Sequence, residues 1–375
     1  MSERMSSMAD VVRDSRIIVC CGSGGVGKTT SAAALALAAA ESGRKVVLIT
    51  IDPAKRLADA LGLQGLTNDP SPIPIDGTAV DGAGGLWAMM LDARATFDAV
   101  IRQQARNEAQ VRRILENPFY DNVASKLSGS QEYMAAEKLY ELSNDDRFDL
   151  VVVDTPPTRE ALDFLEAPQK LMNFLDHRVY RWLIAPARSG LKIVNIAAQP
   201  ILRTIGRVIG ADVLADAINF FQAFEGIESG FRDRAESVQK LLKSEVTKYL
   251  VVASPRRDTV DEAIYFSRQL RSAGMAVTGL IVNRLQPLFG SGTAEEAESA
   301  ARAAQDRGET DLAVLHRNLA HLRRISEAEE DAIAPLLSFA ANSVISRVYQ
   351  RSEDVHDIGA IRILGRDLVA PREND

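Results

Sequence analysis

Cysteine and histidine are scarce in this chain, two and four in 375 residues. Without a Cys-x-x-Cys pair, neither a structural zinc site nor an iron–sulfur cluster can be assembled from cysteine. The histidines at 177, 316, 321 and 356 are too scattered to suggest a metal centre. Cys20 and Cys21 are neighbours at the end of an apolar run; a disulfide between adjacent residues would be strained, so a reduced, buried pair is predicted. Long hydrophobic runs are also missing, and none reaches the ~18 residues of a membrane-spanning helix. Residues Met1 to Asp14 are polar, with three acidic and two basic side chains, and lack the apolar segment of a secretion signal. These absences read as a cytoplasmic protein with no transmembrane segment, leaving peripheral membrane contact open.

What is present is the make-up of a globular protein, 46% hydrophobic and 25% charged with a net charge of −7. The most specific segment is Cys21-Gly22-Ser23-Gly24-Gly25-Val26-Gly27-Lys28-Thr29-Thr30. It lies between an apolar strand, Arg16 to Cys21, and an alanine-rich helix, Thr29 to Glu41. Glycines there let consecutive backbone N–H groups turn toward an anion with no Cβ in the way, and the helix N-terminus behind them adds positive potential. Lys28 is placed to reach the β- and γ-phosphates of a nucleotide, and the Thr29 hydroxyl to coordinate Mg²⁺. Gly24, Gly25, Val26, Gly27, Lys28, Thr29 and Thr30 are therefore the candidate ATP contacts. No second loop of this kind occurs.

Short apolar strands are predicted at Lys45 to Ile51, Leu86 to Leu91, Phe148 to Asp154, Tyr249 to Ala253 and Ala276 to Val282. Helices are predicted from Asp92 to Glu116, Gln131 to Ser143 and Thr259 to Ala273. Continuous apolar strands alternating with helices imply an α/β fold, a doubly wound, mostly parallel sheet with ligands at the carboxyl ends of its strands. The predicted organisation is a flexible N-terminus (1–15), an ATPase core (16–165 and 246–345), an inserted helical subdomain (166–245) and a C-terminal tail (346–375).

Two carboxylates follow core strands. Asp154, in Asp154-Thr155-Pro156-Pro157-Thr158, closes an apolar strand in the position that holds a Mg²⁺ shell beside a phosphate loop. Asp52 opens Asp52-Pro53-Ala54-Lys55-Arg56-Leu57-Ala58-Asp59 directly after the second strand, where a carboxylate can face the γ-phosphate. The plainer alternatives are a strand-end residue for Asp154 and a helix N-cap for Asp52.

The loop spelling, a glycine run before Val-Gly-Lys-Thr-Thr, resembles the deviant phosphate loop of the arsenical-pump and tail-anchored-protein targeting ATPases. The paired Asp52-Pro53-Ala54 and Asp154-Thr155-Pro156-Pro157-Thr158 segments are similar to that branch's two switches. The resemblance covers roughly Arg16 to Leu165 and Lys248 to Leu285. It implies that Asp52 positions the attacking water and that ATP hydrolysis drives opening and closing of a dimer. It also implies that Asn283 hydrogen-bonds the adenine and that Pro255 lies in the adenine-side loop, although an Asn after a strand also serves as a turn residue. Three departures stand out. Ser23 occupies the place of the family's signature lysine, which serves the partner subunit's nucleotide. Pro156 and Arg159-Glu160 replace the Ala and Gly-His of the second switch. The cysteines of the arsenite pumps and of the zinc-binding targeting ATPases are missing. Lys55, Arg56 or Arg159 could supply the lost charge from within the chain.

Residues 166–245 carry apolar side chains at helical spacing: Leu171, Phe174, Leu175 and Trp182, then Ile201, Ile205, Val208 and Ile209, then Leu214, Ile218, Phe221 and Phe224. No acidic residue lies between Asp176 and Asp212, whereas Arg178, Arg181, Arg188, Lys192, Arg203 and Arg207 are basic. Such a segment suits an apolar client or a membrane-associated partner, or is an ordinary self-packed subdomain. The expected function is a Mg·ATP-dependent dimeric switch ATPase that chaperones, targets or regulates such a partner. It would pair as a homodimer or with a related subunit bearing the signature lysine. The alternative is a nucleotide-binding regulatory or scaffold subunit with little hydrolysis. The net negative charge argues against a nucleic-acid partner.

Overall fold

A computed structural model describes residues 7–52, 56–61, 63, 65–75, 84–120, 129–177, 211–351, 355 and 357–370. Eight strands form one sheet: β1 (Ile17–Gly22), β2 (Lys45–Thr50), β3 (Ser71–Ile73), β4 (Gly85–Met90), β5 (Leu150–Asp154), β6 (Thr247–Ala253), β7 (Val277–Leu285) and β8 (Val344–Tyr349). Their order is β3-β4-β2-β5-β1-β6-β7-β8, and every pairing is parallel except β3 with β4. The chain thus moves to both sides of β1, as the apolar strand pattern predicts.

Alternation along the strands sorts side chains into two cores. Ile18, Cys20, Val46, Leu48, Val152 and Leu250 face one side. There they meet α1 (Met8–Asp14), α2 (Lys28–Glu41) and α13 (Ile358–Val369). Ile17, Val19, Cys21, Val47, Val153 and Val251 face the other. They are covered by α6 (Ser130–Ser143), α7 (Thr158–Asp176), α9 (Glu228–Leu242), α10 (Arg257–Ser272) and the end of α12 (Thr310–Phe339). The remaining helices are α3 (Arg56–Ala60), α4 (Ala93–Gln104), α5 (Glu108–Leu115), α8 (Ala211–Ala223) and α11 (Ala294–Asp306).

Elements form near both chain ends. Part of the segment expected to be a flexible N-terminus is α1. Its Ser7 and Asp10 form a capping box, and Met8, Val11 and Val12 are buried. Part of the expected tail is β8 and α13, whose Ile361, Leu364 and Leu368 join the core against α2. Seven- and twelve-residue elements have weak local signals, and tertiary burial stabilises them. The single helix expected over 92–116 is two, because the Asn107 side chain accepts the Gln110 N–H at 2.9 Å and starts α5 afresh.

A third apolar cluster lies off the sheet, where Phe97, Tyr120, Tyr133, Phe220, Phe224 and Phe231 pack with α7 residues Ala167, Met172 and Leu175. Beneath it the buried Glu137 of α6 pairs with Arg234 of α9 and accepts from Tyr133 Oη at 3.2 Å. Arg234 also lies 4.5 Å above the Tyr140 ring. The basic stretch Arg178 to Arg207 falls outside the described residues.

Candidate nucleotide site

The phosphate loop follows β1 because only glycine fits its first turn. A Cβ on Gly22 would sit 2.2 Å from the Val252 carbonyl oxygen of β6. Gly27, at φ 93°, turns the chain into α2, and its carbonyl accepts the Ser31 N–H at 2.9 Å. Lys28, the first residue of α2, is buried and donates from Nζ to the Ser23 carbonyl at 2.8 Å. The lysine therefore spans the mouth of the loop. Ser23 is buried too, and its Oγ has no partner among the described residues.

Asp154 ends β5, in register with Cys20 of β1 and Thr50 of β2. It is 1% exposed. Thr50 Oγ1 donates to Asp154 Oδ2 at 3.1 Å. Burial pushes the Asp154 carboxyl up to about 6. Hydrogen bonds from Thr29 and Thr50 and the charge of Lys28 pull the other way, and Asp52 adds repulsion. Loop, α2, β2 and β5 thus converge on one carboxylate. Asp154 Oδ1 is buried without a partner among the described residues. An orphaned carboxylate oxygen beside a threonine hydroxyl is a hard-oxygen set that fits Mg²⁺. Thr155 Oγ1 donates to the Cys20 carbonyl at 2.8 Å and clamps this segment to β1. Asp52 follows β2 and is half-buried.

On the opposite flank, Asn283 donates from Nδ2 to the Val26 carbonyl at 2.8 Å, and its Oδ1 accepts the Arg284 N–H at 2.9 Å. Pro255, half-buried, follows β6 just before α10.

A model of the anion-transporting ATPase family matches residues 15–307. The chain belongs to this family. Among curated relatives, a protein named ATPase GET3 from Podospora anserina is 24% identical over 286 residues, which span 76% of this chain and 77% of that protein. An arsenical pump-driving ATPase from Escherichia coli is 25% identical over 307 residues, 80% of this chain and 44% of that protein. An ATPase GET3 from Malassezia globosa is 32% identical over 154 residues, 41% of this chain and 43% of that protein. The matched stretch thus covers less than half of the last two relatives and about three quarters of the first.

In this P-loop ATPase family member, the structure places Lys28, Thr29 and Asp52 around Asp154 at the carboxyl edge of the central strands. Gly24 and Gly25 are exposed in the same loop, and Thr30 is half-buried at the start of α2. Lys55 and the side chains of Arg56 and Arg159 lie outside the described residues. Sequence reasoning missed Thr50, which hydrogen-bonds Asp154, and Thr155, which ties the segment after it to β1. Each is a hydroxyl at the tip of an apolar strand, a signal too common to single out. Cys20 and Cys21 are buried free thiols, as predicted, and burial pushes Cys21 up to about 12. Among the described residues no helix is long and apolar enough to cross a membrane.

Proposed function

We propose that this ATPase hydrolyses ATP as a dimeric switch whose nucleotide state is passed to a hydrophobic or membrane-associated partner through α7. One observation carries the reading. Helix α7 begins at Thr158, four residues after Asp154, and its far half supplies Ala167, Leu171, Phe174 and Leu175 to an apolar cavity of about 250 Å³. A displacement at the nucleotide edge is therefore delivered along one helix to an aromatic surface on which Phe174 is 42% exposed.

In the reaction, Lys28 leaves the Ser23 carbonyl for the phosphates and neutralises their charge. Asp52 orients water in line with the γ-phosphate. Thr29 and Asp154 would hold Mg²⁺, which would offset the negative charge that develops on the phosphates. Pro255 is proposed to line the adenine side. The test is paired. Lys28→Ala should abolish measurable Mg·ATP binding. Asp52→Asn should bind Mg·ATP as the wild type does but lose at least tenfold in hydrolysis. Wild-type turnover by Asp52→Asn would remove Asp52 from the mechanism.

Ser23 favours a second reading, a nucleotide-binding subunit that hydrolyses slowly alone. A buried serine supplies no cation to a neighbouring subunit. A heterodimer with a lysine-bearing relative would complete one site and leave the other incomplete.

A further inference from the structure

We propose that α12 carries a leucine seam on which a second copy of this chain docks antiparallel. The seam deepens the dimeric reading above and rests on it only for its part in the switch. Two faces of α12 follow from its sequence. Ala313 and Ala320 are buried. On the same side Arg317 Nη2 donates to Gln305 Oε1 of α11 at 3.0 Å, and Arg324 Nη2 to Glu298 Oε2 at 3.4 Å. That side therefore packs on α11, whose Ala294, Ala297, Ala301 and Ala304 are buried as well. At about 3.6 residues per turn, Leu312, Leu315, Leu319 and Leu322 fall on roughly the opposite side. Leu315 is 64% exposed, Leu312 and Ile325 are exposed too, and Leu319 and Leu322 are half-buried.

A contiguous exposed apolar stripe marks an interface, and here the spacing selects the occupant. The leucines follow one another at intervals of three, four and three residues, the spacing of coiled-coil core positions. The series reads the same in both directions. In an antiparallel pair centred on Arg317, Leu312 meets Leu322 of the second copy and Leu315 meets its Leu319, which makes a self-complementary contact of two-fold symmetry. Charge agrees with this register. Glu309 opens one flank of the stripe, and Arg323 lies on the same flank toward its other end. Each carboxylate then faces the guanidinium of the other copy. Arg323 is held in place by the carbonyls of Phe289 and Thr293, each at 3.2 Å.

None of these residues belongs to the nucleotide site. A dimer that opens and closes on hydrolysis needs a contact that survives opening, and a stripe of about 20 Å on the α11–α12 hairpin supplies one that does not depend on nucleotide.

The experiment is analytical ultracentrifugation of wild type, Leu315→Met and Leu315→Glu without nucleotide, with circular dichroism to confirm that each is folded. Wild type and Leu315→Met are expected to be dimers. Leu315→Glu is expected to raise the dissociation constant at least about tenfold, since two-fold symmetry removes two buried leucines at once. A monomeric wild type, or a dimer that Leu315→Glu leaves unchanged, overturns the proposal. Oxidative cross-linking tests the orientation. Leu315→Cys/Leu319→Cys should join two copies through a disulfide, whereas Leu315→Cys alone should not, because antiparallel packing sets the two residues at 315 too far apart. Equal cross-linking by the single variant means parallel packing and refutes the register, and no cross-linking by the double variant refutes the seam. A nucleotide-free dimer that ATP does not tighten would instead sink the switch reading and leave the seam standing.

Discussion

Asp154 sits where burial and function pull in opposite directions. Its carboxyl is held near 6, above the ordinary 3.8, because desolvation outweighs the hydrogen bonds from Thr29 and Thr50 and the charge of Lys28. The sign follows: a group whose folded value is raised stabilises the fold fully below about 4, and that contribution is lost as pH rises through 6. With chelator present and nucleotide absent, Asp154→Asn, which cannot ionise, should therefore gain stability relative to wild type between pH 4 and pH 7. A constant difference in melting temperature over that range would show that Asp154 ionises normally. Mg²⁺ requires the ionised carboxylate, so Mg·ATP affinity should fall as pH drops below 6. Titrations at pH 7.5 and pH 5 read this directly. Lys28 and Asp154 were legible in the sequence from their places after apolar strands. The elevated titration was not, because it depends on how completely β1 and β2 enclose the end of β5.

At the scale of elements, α13 and α2 show what local patterns omit. Gly365 lies in the middle of α13, and a Cβ there would approach the Ala34 carbonyl oxygen of α2 to 2.7 Å. Propensity alone would favour replacing a helical glycine, by up to about 1 kcal/mol. Overpacking against a neighbouring backbone costs about 1–3 kcal/mol, so the contact should win. Gly365→Val is expected to lower the unfolding free energy in urea, and an unchanged midpoint would mean that α13 does not seat on α2. This helix was read as tail from the sequence, since its apolar residues reveal amphipathicity but not the surface that receives them. Asp357, whose side chain caps the first turn by accepting the Ala360 N–H at 2.8 Å, was the available local signal.

For the whole molecule the open variable is the charge that Ser23 does not supply. Loss of a cation that stabilises transition-state charge from a partner subunit can lower rate on the order of 10³-fold. Weak hydrolysis by the purified chain is therefore expected, with stimulation by a lysine-bearing relative and with a faster rate for Ser23→Lys alone. Fast wild-type turnover that Ser23→Lys does not improve would refute the need for a complementary partner. Sedimentation with ADP and with a non-hydrolysable ATP analogue tests the proposed switch, which predicts a dimer that tightens with the triphosphate.

The sequence by itself determined the phosphate loop, the strands on either side of it and hence the doubly wound sheet. Each is a local pattern: glycines before Lys28, apolar runs of strand length, helices between them. Tertiary structure decided what depends on residues far apart in the chain meeting. The Thr50 and Asp154 side chains are brought together by the pairing of β2 with β5, and Asn283 reaches Val26 because β6 places β7 beside the loop. Burial of Ser23, assembly of the aromatic cavity and the seating of α1 and α13 are of the same kind. Spacing along a chain fixes which face a side chain takes, but only the packed elements fix what that face meets.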